Sequence, residues 1–179
     1  MLITRITAIS ALAAFTTVSA LAQAPAAPAP ASPLVSSSQI LFANSKNNIV
    51  KSVDKVSDEL WNWRPTPKVR TFGELFAHIA DGQYEFCGAA VEGKAIDKGI
   101  EKTAKTKAEV SAALTKAFEY CEAGYKTLTE KSAVEMVTFG RPMTRIAVMD
   151  FNAAHNMEHY GNLVTYMRLK DIVPPSSKQ

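Results

Sequence analysis

TFGELFAHIADGQYEFCGAAVEG, residues 71–93, holds a whole helix together with its start and stop signals. Thr71 and Glu74 have the spacing of a capping box. The threonine hydroxyl accepts from a first-turn amide, and the glutamate reaches back to the threonine N–H. Gly93 is the stop, because many helices end on a left-handed residue and glycine adopts that conformation without steric cost. Just upstream, WNWRPTPKVR (61–70) carries Pro65 and Pro67, which break any helix there. The expectation is a helix from Thr71 to about Val91, with His78 and Asp81 roughly one turn apart on it.

Three more helices can be read outward from this one. TKAE (106–109) is a second capping box, and Val110, Leu114, Phe118, Cys121, Tyr125 and Leu128 mark one face of the helix it opens. A last helix is expected from about Thr144 to Leu169, stopped by Pro174 and Pro175. Before the quoted stretch, Ser36 to Leu60 has a helical rhythm in Ile40, Leu41, Ile49, Val50, Val53, Val56 and Leu60. The link KAIDKGIEKTAK (94–105) is polar and lysine-rich and is expected to be exposed. VTFGRPM (137–143) reads as a loop or short hairpin. No segment sustains period-two alternation, and no repeat is apparent. The pattern predicts an all-α four-helix bundle over residues 34–177.

The chain has 179 residues, 47% of them hydrophobic and 21% charged, as in a water-soluble domain with one core. Residues 1–22 read as a secretory leader: MLITR is a short basic start, and an apolar, uncharged run follows. Ala20-Leu21-Ala22 is an A-x-A cleavage site, which predicts a mature start at Gln23; the other reading is an uncleaved anchor. QAPAAPAPASP (23–33) is an Ala/Pro-rich linker, too poor in bulky apolar residues to build a core. An exported protein, periplasmic or secreted, is expected. After cleavage no membrane span remains, since no later run reaches about 18 apolar residues. The net charge is +3, and +2 without the leader, which carries only Arg5. So small a charge argues against nucleic acid as a partner.

Cys87 and Cys121 are the two cysteines. Cys87 falls near the end of the second helix and Cys121 about four turns into the third. If those helices form an antiparallel hairpin, the two are offset by more than about 10 Å along the axis. A disulfide needs Cα atoms within about 7 Å. Two buried thiols are therefore expected, with a disulfide as the alternative that export permits.

All three histidines fall inside expected helices: His78 in the second, His155 and His159 in the fourth. Residues i and i+4 lie about 40° apart around a helix, so His155 and His159 leave one face and can grip one ion. A third ligand must come from another helix, and His78 is the only histidine left. Bundle cores hold metals in this way, and three histidines with one open position is a catalytic zinc pattern. The stripe Asn152, His155, His159, Asn162, Tyr166 is polar on a helix otherwise largely apolar, and a core-facing polar strip needs partners. The plain alternative is a histidine pair on a solvated face. HNMEH (155–159) also spells the inverted zinc-protease motif, in which Glu158 would be the general base, but the chain has little room for a peptide cleft. Asp81 and Glu158 are the candidate acid–base or imidazole-orienting groups.

Three separated elements, in order, resemble the DinB-like superfamily of damage-inducible metalloproteins. They are Trp63, Pro67 and Thr71 in the lead-in, His78 in the capped second helix, and the H-x-x-x-H of His155 and His159. The resemblance covers nearly all of residues 36–177 and implies up-down-down-up topology. It implies a divalent metal on His78, His155 and His159 and a homodimer; imidazole ligands suit a transition metal, zinc or nickel before iron or copper. Characterised relatives include metal-dependent thiol S-transferases and isomerases. An exported chain departs from them, because low-molecular-weight thiols are scarce outside the cytosol. A metal-dependent hydrolase, or a metal- or small-ligand-binding bundle without catalysis, stands beside the transferase. Trp61, Trp63 and Arg64 read as packing at a helix–loop junction, with Arg64 or Arg70 open to contact a small-molecule substrate.

Overall fold

Six helices and one hairpin follow one another in the computed structural model, which describes residues 33–177. The expected leader, and the linker up to residue 32, lie outside the described residues. The four long helices are α1 (Pro33–Lys55), α2 (Phe72–Glu92), α4 (Lys107–Thr127) and α6 (Arg145–Arg168). Two single-turn helices, α3 (Ile100–Thr103) and α5 (Glu130–Ala133), sit in the connections. VTFGRPM becomes part of the hairpin β1 (Met136–Phe139) and β2 (Arg141–Thr144). Gly140, at φ 66°, makes its turn. Among the described residues, no helix is long and apolar enough to cross a membrane.

Helix ends follow the local signals closely. Thr71 caps α2: its hydroxyl accepts from Glu74 N–H at 3.1 Å, and Glu74 Oε2 accepts from Thr71 N–H at 2.8 Å. Thr106 and Glu109 do the same for α4. Gly93 ends α2 at φ 78°. The first helix departs from expectation in both length and face. It stops at Lys55, and residues 57–63 coil into turns. Ile40, Leu41 and Val50 are exposed, while the core stripe is Val35, Ser38, Phe42, Ser45, Ile49, Ser52 and Val53. Three serines on that stripe hide its periodicity from an apolar count. Their hydroxyls find partners, Ser45 and Ser52 on carbonyls of the preceding turn and Ser38 on Tyr125 Oη. Buried polar groups are tolerated on that condition.

Cross-helix pairs set the directions. Ser38 meets Tyr125, and Lys107 reaches Val56 O, so α1 and α4 are antiparallel. Arg145 bonds Ala90 O and Val91 O, while Tyr166 packs on Phe72, so α2 and α6 are antiparallel. Tyr84 packs on Tyr120 at 5.0 Å near the middle of both helices, and Val91 lies against Gly124 toward both C-terminal ends, so α2 and α4 run parallel. The topology is up-down-down-up, as expected. This parallel pair corrects the expectation of free thiols. Cys87 and Cys121 lie at matching depths, their Cα atoms are 5.4 Å apart, and they form a disulfide. The expected axial offset holds only if the second and third long helices form an antiparallel hairpin, and in an up-down-down-up bundle those two run parallel.

The α1–α2 connection packs as expected for a junction. Trp61 is buried and stacks on Phe76 at 5.5 Å. Gly73 leaves space for that indole, which an added Cβ would strike. The Trp61 and Trp63 carbonyls accept Gly73 N–H and Phe72 N–H, two of the amides that every helix start leaves unpaired.

The link between α2 and α4 also departs from expectation, because it is anchored. Ile96 sits against Gly88, and Ile100 is buried against the core.

Candidate metal centre

The antiparallel packing of α2 on α6 brings His78 opposite His155 and His159. His155 Nε2 is 3.2 Å from His78 Nε2 and 3.0 Å from His159 Nε2. All three ligand nitrogens lie within 4.8 Å of one another. Zinc–imidazole bonds of about 2.0–2.1 Å at tetrahedral angles require nitrogens roughly 3.3 Å apart. The donor set therefore fits one divalent transition ion, and the three histidines can hold it. The reading of His155 and His159 as a pair on a solvated face fails on burial: His159 is 7% exposed and His155 is half-buried.

The surroundings keep the rings neutral. Burial first, then the neighbouring His159 and His78, push His155 down to about 3. Burial and His78 push His159 down to about 4. His78 is also lowered, by burial and by Arg70, against the opposing pull of Glu101. A metal ligand must be the neutral imidazole, so these rings need not release protons at neutral pH.

Each ring is held from behind in its own way. His78 Nδ1 is 3.3 Å from Glu101 Oε2. His159 Nδ1 lies 3.3 Å from the Asn162 side-chain amide. His155 is clamped between Phe86, at 5.0 Å, and the bare backbone of Gly82. Its Nδ1 is buried with no hydrogen-bond partner among the described residues. Below the rings lies a polar floor. Gln83 bonds Asn156 and Asn152, Asn156 reaches Ser45, and Asn152 Nδ2 faces both disulfide sulfurs. Thus the polar stripe of α6 gets most of its partners from protein groups. Tyr166 completes it by donating to Arg70 O at 3.0 Å.

Of the two candidate acid–base groups, Glu158 stands with His159 on the wall of a cavity of about 630 Å³. Arg64, Lys68, Arg70, Glu74 and Tyr166 also line that cavity. The Asp81 carboxylate is engaged by backbone amides instead: its two oxygens accept the Ile100 and Glu101 N–H groups at 2.8 and 2.9 Å. The residue beside the triad that sequence reasoning missed is Glu101. Arg70 Nε donates to it at 2.7 Å. Partial burial pushes Glu101 up, but Arg70 and then His78 outweigh it and hold the carboxyl below its usual range. The one sequence signal for Glu101 was the pair Ile96 and Ile100 in an otherwise polar link, a sign that the link is tied down.

Comparison with known proteins agrees with the fold. The crystal structure of a DinB-like protein, YjoA of Bacillus subtilis, superposes with a TM-score of 0.65 at 24% identity, covering 82% of this chain and 97% of that one. A DinB-like protein from Bacillus cereus ATCC 10987 gives 0.68 at 17% identity, covering 80% and 97%. In sequence, uncharacterized protein YjoA of Bacillus subtilis (strain 168) is 25% identical over 141 residues, 75% of this chain and 91% of that protein. Residues 41–163 match the family model of the DinB superfamily, and the chain belongs to that superfamily.

Proposed function

We propose that this protein is an exported metalloprotein that binds a divalent transition metal through His78, His155 and His159 and acts on a small molecule. The reaction class is metal-dependent hydrolysis or thiol S-transfer. One observation carries the proposal: three neutral imidazoles aim their Nε2 atoms at one point beside an open cavity. Imidazole donors favour zinc or nickel, and suit iron or copper. A metal held there supplies Lewis acidity and lowers the pKa of a water or thiol bound to it.

The protein's own groups supply the rest. Glu158, on the cavity wall beside His159, is placed to accept a proton from the attacking group. Among the described residues Arg64 makes only long contacts, 3.4 Å to Val69 O and 3.8 Å to Glu74, so its guanidinium is available to a substrate. The Cys87–Cys121 disulfide supports export, since disulfides persist in oxidising compartments. A homodimer remains part of the proposal through the family resemblance.

The first test is elemental analysis of protein purified from its native compartment, beside a variant with all three histidines replaced by alanine. One equivalent of transition metal in the wild type and none in a folded variant is expected. Equal metal in both would refute the centre. The second test is turnover of ester and thiol–electrophile substrates, with Glu158→Gln retaining metal but losing turnover by about 10²–10⁴-fold. Metal retained with no turnover on any of them would favour a binding bundle without catalysis.

A further inference from the structure

We infer that Glu101 is a positioning residue of the histidine centre, delivered to His78 by the link between α2 and α4. The inference rests on the triad being a metal centre. It assigns a role to a residue outside the triad, from a segment of chain that otherwise reads as a surface connection.

A four-residue helix has no stability of its own. Helix α3 is held in place by other groups. Ile100 is buried at 8% exposure, and Asp81 accepts the first two amides of α3 through its two carboxylate oxygens. Asp81 lies three residues after His78 on α2, so one helix carries both the ring and the anchor of its partner. The Glu101 side chain then closes the circuit onto His78 Nδ1 at 3.3 Å.

A second tether comes from the opposite side. Arg70 donates to Glu101 through Nε at 2.7 Å and Nη2 at 3.4 Å. The Arg70 carbonyl in turn accepts from Tyr166 Oη on α6, the helix of His155 and His159. Glu101 is therefore held through Asp81 on α2 and through Arg70, whose carbonyl is bonded by Tyr166 on α6.

The chemical consequence lies in the His78 tautomer. An ionised carboxylate accepts hydrogen bonds and does not donate them. Held against Nδ1, it puts the ring proton there and leaves the Nε2 lone pair directed at His155 and His159. Without Glu101 both tautomers become accessible, and the one with its proton on Nε2 cannot bind a metal through that atom. Loss of an outer partner of a metal-bound histidine typically weakens metal binding about 10–100-fold.

The test uses the metal-free protein labelled with ¹⁵N-histidine, followed by zinc competition titration, for wild type, Glu101→Ala, Glu101→Gln and Asp81→Ala. Wild-type His78 is expected to show the nitrogen shifts of the Nδ1–H tautomer, and Glu101→Ala a mixture. Zinc affinity should fall about 10–100-fold in Glu101→Ala and recover in Glu101→Gln, whose amide oxygen still accepts. Asp81→Ala should weaken zinc in the same direction, with faster amide exchange at Ile100 and Glu101. A proton on Nε2 of wild-type His78, or unchanged zinc affinity in Glu101→Ala, would overturn the role. So would weaker zinc binding with an unaltered His78 tautomer, which would make Glu101 a ligand itself. If the wild type binds no zinc, the metal reading fails, and the ring-nitrogen spectra still decide whether Glu101 sets the tautomer.

Discussion

Replacing Gly82 by alanine tests whether the position of His155 is set by packing. A Cβ at residue 82 would stand 2.8 Å from His155 Cε1 and 3.2 Å from its Nδ1, while ordinary contact begins at 3.4 Å. The ring must retreat by about 0.6 Å to reach that contact distance, against a tolerance of roughly 0.2 Å in metal–ligand distances. Zinc affinity should therefore fall at least tenfold, about 1.4 kcal/mol. Stability answers to a different balance. Glycine to alanine inside a helix gains about 0.5–1 kcal/mol, and overpacking costs about 1–3 kcal/mol. The two leave a net loss of about 0–2.5 kcal/mol. Gly161 on α6 is the control, because a Cβ there meets nothing within 4 Å among the described residues. Gly161→Ala should raise the denaturation midpoint and leave zinc affinity alone. Competition titration and denaturant unfolding of both variants measure the two effects separately. Wild-type zinc affinity in Gly82→Ala would refute the claim that this bare stretch of α2 positions His155.

Two further outcomes follow from the same structure. The Cys87–Cys121 bridge spans 34 residues, for which loop entropy gives about 4 kcal/mol; unfolding in urea with and without a reductant should show a loss of that order, with helical content unchanged in the reduced protein at zero urea. The metal-free protein should lose stability on acidification. His155 and His159 titrate at about 3 and about 4 when folded, against about 6.5 when unfolded. Their neutral forms thus stabilise the fold fully above about pH 6.5, and that contribution is lost as pH falls from there through the folded values. At pH 5 the loss is on the order of 1–2 kcal/mol per ring. Replacing both rings with glutamine should flatten that part of the stability–pH curve, and an unchanged slope would show that the rings are not buried neutral.

The sequence by itself determined what depends on a few consecutive residues. The capping boxes at Thr71 and Thr106 and the stop at Gly93 placed the ends of α2 and α4 to within a residue or two, because cap hydrogen bonds close over three residues. Helical phase put His155 and His159 on one face, and His78 was the only histidine left to meet them. The inner face of α1 was hidden because serine carries no apolar signal even when its hydroxyl is satisfied inside the core. Three things were decided only by tertiary structure. The disulfide depends on α2 and α4 running parallel, which no residue near either cysteine encodes. Glu101 lies 23 positions after His78, and only the docking of the link on α2 brings it to the ring. Gly82 became part of the centre because α6 packs across it closely enough for His155 to fill the space where a side chain would be. A helix's own hydrogen bonds fix which way each side chain leaves it, whereas what that side chain meets depends on how the neighbouring helices pack.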